Sequence, residues 1–158
     1  MVEGDLGRVL EPLYDAALDH RLWPAALNAI ARFLEAGGAC LAVDHRHTQD
    51  SVSTGASAEL LSGYNAYWHS INPIWPGVWR APAGAVMLDR REIGWEAYRR
   101  SEFYNDYVLA SGGDACMSVK AWESRDYTAA FALHRVRGDR PFTDRHLRRA
   151  AILAPHLT

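Results

Sequence analysis

Residues 115–135, ACMSVKAWESRDYTAAFALHR, decide the fold. Two alternating runs, 115–122 and 127–135, flank a tight polar turn at 123–126, which is the pattern of an antiparallel hairpin. Successive side chains on a strand point to opposite faces. Thr128, Ala130, Ala132 and His134 therefore share one face of the second strand, and Tyr127, Ala129, Phe131 and Leu133 the other. On the first strand Met117, Val119 and Ala121 oppose Cys116, Ser118, Lys120 and Trp122. The small-residue face either seats a helix closely or leaves room for a ligand, and the strand pattern leaves both open. Met117 and His134 are the sheet residues expected to line such a space.

Outward from the hairpin, Ser111-Gly112-Gly113 is the clearest breaker in the chain. Before it, 90–107 reads as helix in two pieces with the aromatic set Trp95, Tyr98, Phe103, Tyr104 and Tyr107. Residues 85–88 make a short apolar strand, and 76–82 a loop with room for one helical turn. A helix starting near Ser57 carries Leu60, Leu61, Tyr64 and Trp68 on one face and stops before Pro73. Residues 39–47 (ACLAVDHRH) read as a strand with 51–55 as its hairpin partner. Two helices open the chain. The first, 6–18, has apolar residues at i, i+3, i+4 and i+7. The second starts at Trp23-Pro24, runs to 33–36, and is expected to be capped by Gly37-Gly38. After the hairpin, Thr143 caps a helix over 143–156, with Asp144 well placed in its first turn.

Hairpin-linked strands with helices segregated around them define an α+β domain. The expected architecture is PAS- or GAF-like, built on one antiparallel sheet of about five strands. At 158 residues, 49% of them apolar, the chain has the material for one domain, 1–158, with a full core. A net charge of −2 argues against a domain that grips nucleic acid over its whole surface. The N-terminus lacks the layout of a signal peptide, and no apolar run approaches a spanning helix. A cytoplasmic protein with no membrane partner is expected. Cys40 and Cys116 lack any C-x-x-C spacing, so they read as small buried hydrophobes.

The second informative stretch is 64–79, YNAYWHSINPIWPGVW. Its rings each carry a polar handle, which suits the wall of a small-molecule pocket as well as a Trp-rich core. The expected wall is Tyr64, Trp68, Trp75, Trp79 and Tyr104 together with Met117 and His134, and Asn72 is the expected polar anchor. On that reading Trp68→Ala weakens binding more than folding. Catalytic signals are absent. There is no G-x-S-x-G, no glycine-rich phosphate loop and no paired carboxylates in a plausible cleft. His45 and His47 share a strand face, but they lack a third ligand and read as solvated, so neither a metal nor a cofactor is expected. Arg135, Arg137, Arg140, Arg145, Arg148 and Arg149 make the C-terminal segment locally basic. A solvated helix face explains this, and so does a helix leading into a nucleic-acid-binding module.

Four stretches together resemble the N-terminal sensor region of LuxR-type transcriptional regulators: LYDAALDHRLWPAALNAIARFL, YNAYWHSINPIW, SEFYNDYVLASGG and RPFTDRHLRRAAILAPHL. The resemblance implies a PAS/GAF-like α-β-α sandwich with one antiparallel sheet flanked by helices, and a ligand held between the sheet and the aromatic helices. It also implies a homodimer, and DNA contact only through a helix-turn-helix domain following Thr158. In acyl-homoserine-lactone receptors of this group an Asp-Pro places a carboxylate on the ligand amide. Asn72-Pro73 stands in its place here, and an amide cannot act as a charge-assisted acceptor. The small organic effector is therefore left open. The alternatives are a ligand-free dimerisation module and, further off, a small metal-dependent enzyme using His45 and His47.

Overall fold

The computed structural model describes residues 2–45, 49–53 and 57–158. Helices α1 (Val2–Leu18) and α2 (Trp23–Phe33) pack against each other, with a 3-10 turn at His20–Leu22 between them. Strands β1 (Gly38–Asp44) and β2 (Gln49–Ser53) follow. Next come α3 (Ala58–Gly63), a π-helical turn Tyr64–Trp68, α4 (His69–Ile71) and α5 (Trp75–Arg80). Strand β3 (Val86–Leu88) leads into α6 (Asp89–Glu92), α7 (Trp95–Tyr98) and a second π-helix, Phe103–Val108. The hairpin β4 (Gly113–Glu123) and β5 (Thr128–Val136) precedes α8 (Asp144–Leu153) and a last 3-10 turn, Ala154–His156.

The strands form one antiparallel sheet in the order β2-β1-β5-β4-β3. The sandwich expected from sequence is present. One face of the sheet presents Met117, Val119, Phe131 and Leu133 to α1, α2 and α8, whose Val9, Leu13, Leu27, Ile30, Ala150 and Leu153 complete the main core. Met117, Leu27, Ile30, Leu133 and Leu153 are fully buried, and each such side chain contributes roughly 1.5–3 kcal/mol of transfer free energy. The other face presents Cys40, Ala42, Met87 and Ala130 to Trp75 and Val78. Beside these lies an aromatic cluster of Tyr64, Tyr98, Phe103 and Tyr104.

Helix α3 starts where its cap predicts, the Ser57 hydroxyl accepting from the Leu60 amide at 3.1 Å. At α8 the Thr143 amide donates instead to His146 Nδ1 (2.9 Å), so an imidazole serves in the capping box. The end of α2 differs from the expected glycine cap. Glu35 takes the left-handed conformation (φ 54°), and the Ala36 amide reaches back to the Ala31 carbonyl at 2.8 Å. Gly37 has another role: a Cβ there would meet Val136 Cγ1 at 3.2 Å and the His134 carbonyl at 3.4 Å. Glu35 is held by α8, its carboxylate lying 3.0 Å from both Arg145 and Arg149. The expected two-piece helix over 90–107 has three pieces, because Gly94 (φ 85°) separates α6 from α7. The loop at 76–82 is mostly α5, with Pro76 in its first turn.

Candidate functional site

A cavity of about 280 Å3 lies between the small-residue face of the sheet and the aromatic layer. Its floor is Cys40 and Ala42 of β1, Ala130, Ala132 and His134 of β5, and Cys116 and Ser118 of β4. Cross-strand register sets this floor: Cys40 faces Ala132, Ala132 faces Ser118, and His134 faces Cys116. The small side chains seat α5 over part of this face and leave open space beside it. The roof comes from Tyr64, Asn72, Trp75, Tyr98, Phe103 and Tyr107. Both π-helical segments contribute to it, Tyr64 opening the first and Phe103 and Tyr107 lying on the second. Such widened turns recur at functional sites in helices.

Of the residues singled out in sequence, Tyr64, Asn72, Trp75 and His134 line this cavity. The Tyr64 hydroxyl accepts from Asn72 Nδ2 (2.8 Å) and from Trp75 Nε1 (3.0 Å). Asn72 Oδ1 accepts from the Ile74 amide at 3.0 Å. The amide side chain is thus engaged by the protein at both ends and positions Tyr64 and the Pro73 turn. Burial pushes the Tyr64 hydroxyl above its ordinary pKa, so it stays protonated. His134 lines the cavity at the exposed end of β5. Burial pushes its pKa down, favouring the neutral imidazole.

The other four lie elsewhere. Met117 is on the opposite face of the sheet, paired with Leu133 and buried in the main core, so it cannot share a wall with His134. Trp68 stacks on the outer side of the aromatic layer, 5.6 Å from the Tyr107 ring and 4.9 Å from Tyr67. Trp79 is a clasp: its indole N–H donates to the buried Asp44 carboxylate, whose other oxygen lies 2.7 Å from His69 Nε2. The carbonyl of Trp79 accepts from Lys120 Nζ at 3.2 Å. Tyr104 packs beneath Trp95 and Tyr98 and donates to Asp114 Oδ1 at 3.1 Å.

Sequence reading missed Cys40, Ala42, Asp89, Phe103, Tyr107, Cys116 and Ser118. Strand alternation already grouped Cys116 with Ser118, and that was the available signal. Asp89 is 3% exposed and accepts from the Arg90 amide (2.6 Å) and the Cys116 amide (2.9 Å), tying α6 to β4. Burial raises its carboxyl to about 6 against those hydrogen bonds. Burial likewise pushes the Cys40 and Cys116 thiols up to about 12, so both are inert cavity wall and not nucleophiles.

Among the described residues no group of three or more His, Cys, Asp or Glu is placed to hold a metal ion. His45 ends its strand beside the Tyr127 ring, and His47 lies outside the described residues. No helix among the described residues is long and apolar enough to cross a membrane.

No protein-family model and no curated protein sequence matches the chain. Solved structures do. The LBD domain of VqsR from Pseudomonas aeruginosa superposes with a TM-score of 0.70 at 16% identity, over 97% of this chain and 89% of that one. CepR2 from Burkholderia cenocepacia, an N-acylhomoserine-lactone-dependent LuxR-family transcription factor, gives 0.71 at 16% identity over 98% and 91%. SdiA in complex with octanoyl-rac-glycerol gives 0.61 at 13% identity, over 99% of this chain and 62% of that one. The chain has the fold of the ligand-binding domains of LuxR-family regulators.

Proposed function

We propose that the chain is a non-catalytic small-molecule-sensing domain of a bacterial LuxR-type transcriptional regulator. One observation carries this reading: the 280 Å3 cavity between sheet and aromatic layer, walled by rings and small side chains with a few polar atoms among them. Two neighbours of the same fold support it, the N-acylhomoserine-lactone-dependent CepR2 and SdiA in complex with octanoyl-rac-glycerol. Tyr64, Trp75 and His134 contact the effector, and Asn72 positions Tyr64. The parent protein continues past Thr158 into a helix-turn-helix domain, and DNA is bound there. It works as a cytoplasmic homodimer; Tyr14, Leu18 and Ile152 leave apolar surface on α1 and α8 for a second copy. Occupancy acts by preferring one position of α8 over another.

A thermal-shift screen of small uncharged organic molecules, N-acylhomoserine lactones included, tests this reading. A true effector at a hundredfold excess over its Kd stabilises by about 2.7 kcal/mol, which moves the melting temperature by several degrees. The effect disappears in Ala132→Trp, whose indole fills the cavity. A melting temperature that follows protein concentration but no ligand would instead favour the ligand-free dimerisation module.

A further inference from the structure

Uncommitted hydrogen-bonding groups stand at two separate places on the cavity wall. The first is at the aromatic end. A hydroxyl has one proton and two acceptor lone pairs. Both lone pairs of Tyr64 are taken, by Asn72 and Trp75, so its O–H is left to donate. The Tyr107 ring lies 5.3 Å from that of Tyr64, and its hydroxyl makes no hydrogen bond among the described residues. The second place is His134. No hydrogen bond or ion pair engages its ring nitrogens among the described residues, and the residue stands on the cavity wall. A neutral imidazole offers one donor and one acceptor.

These places are well separated. Cys40 lines the cavity with Tyr64 and Tyr107 and faces Ala132 across the sheet. His134 is two residues further along β5, about 7 Å away at roughly 3.3 Å per residue. A simple acyl amide carries its C=O and N–H on adjacent atoms and cannot reach both. Asn72 Oδ1, where an amide N–H would look for an acceptor, already accepts from Ile74 and offers only a neutral lone pair in place of a carboxylate.

Charge narrows the class further. Among the described residues Arg135 is the only Arg or Lys on the wall, and strand alternation sends its guanidinium to the other face, 4.7 Å over the Phe142 ring. Asp89 and Asp114 belong to the wall. An adjoining recess shares Leu60, Tyr107 and Ser111 with the cavity and adds Glu59 and Asp106. A carboxylate ligand would find no free cation there among the described residues, because the Arg90 guanidinium behind Asp114 is already held 2.7 Å from that carboxylate. Alanines on one side and rings on the other fit a flat body.

Resting on the sensor reading above, we propose that the cavity takes a compact, flat, uncharged molecule with a carbonyl at one end and a hydroxyl at the other. Tyr64 and Tyr107 donate to the carbonyl, and the hydroxyl donates to a ring nitrogen of His134.

The test is a titration of the full chain, read by tryptophan fluorescence (Trp75 is wall) and by melting temperature. The probes are 4-hydroxyacetophenone, acetophenone, 4-hydroxybenzoate and N-octanoyl homoserine lactone. The hydroxyketone saturates, and acetophenone and the benzoate bind about tenfold more weakly, the value of one buried hydrogen bond or more. His134→Leu weakens the hydroxyketone about tenfold and leaves acetophenone unchanged; Tyr64→Phe weakens both ketones. Melting curves without ligand establish that each variant is folded. Equal binding of benzoate and hydroxyketone, indifference to His134→Leu, or no binding of the hydroxyketone each overturns the proposal. If the lactone alone binds, the ligand class falls and the sensor reading stands. If no probe binds and the wider thermal-shift screen is also empty, both fall.

Discussion

The side-chain amide of Asn72 donates to the Tyr64 hydroxyl across 2.8 Å, and this contact determines what each residue can do for a ligand. Asn72 occupies the place where a sequence reading expects the polar anchor, but its amide is consumed in holding Tyr64. Tyr64 is the group that faces the cavity with a proton to give.

Asn72→Asp reverses that contact. A carboxylate there accepts the Tyr64 proton and turns it away from the cavity, while still accepting from the Ile74 amide. The expected result is a small change in stability, about 1 kcal/mol, with a much larger relative loss of affinity for any carbonyl ligand. Denaturant unfolding and ligand titration of the same preparation separate the two. Affinity unchanged by the substitution would place the ligand's acceptor elsewhere.

Trp68 and Trp75 should part company. Trp68 packs on Tyr67 and Tyr107 outside the cavity, so Trp68→Ala costs about 1–3 kcal/mol of stability and changes affinity little. This inverts the expectation formed from the sequence. Trp75→Phe keeps most of the packing but removes the indole N–H from Tyr64, and it lowers affinity along with the fluorescence response.

Met117→Ala creates a void in the main core, where the side chain is wholly buried. A loss of about 2–5 kcal/mol is expected, with no change in ligand selectivity. Altered selectivity in a variant that remains folded would contradict the register that sets Met117 opposite Leu133.

Asp89 gives the domain a pH dependence of defined sign. Its carboxyl titrates at about 6 in the folded chain, above the ordinary 3.8, chiefly through burial. Between those values the folded chain holds a proton that the unfolded chain has released. Its contribution to stability is therefore greatest below about pH 4, falls as pH rises to about 6, and is level above. Asp89→Asn removes this fall. The wild-type-minus-variant difference in unfolding free energy should change by up to about 1.4 kcal/mol per pH unit across the window. A flat difference from pH 4 to 7 would show that Asp89 titrates normally.

Much of this was legible in the sequence because local chemistry fixed it. The hairpin, the Ser57 and Thr143 caps and the aromatic helix ending before Pro73 all follow from patterns within a few residues. Alternation even separated Cys116 and Ser118 from Met117. What alternation cannot give is which face of β4 joins which face of β5. That depends on register, and placing Met117 beside His134 was the resulting error. Trp79 was misread for a similar reason, since its partner Asp44 is far away in sequence. The left-handed Glu35 had no local signal either: its carboxylate is held by Arg145 and Arg149, more than a hundred residues on.

The most direct test is whether the space over Ala132 is hollow. Ala132→Leu places an isobutyl group in it, and denaturant unfolding of the variant reads the consequence. An open cavity predicts stability unchanged or raised by up to about 1–2 kcal/mol, together with loss of ligand binding. A loss of about 1–3 kcal/mol, the cost of overpacking, would show that the aromatic layer already fills this space and would contradict a binding site there.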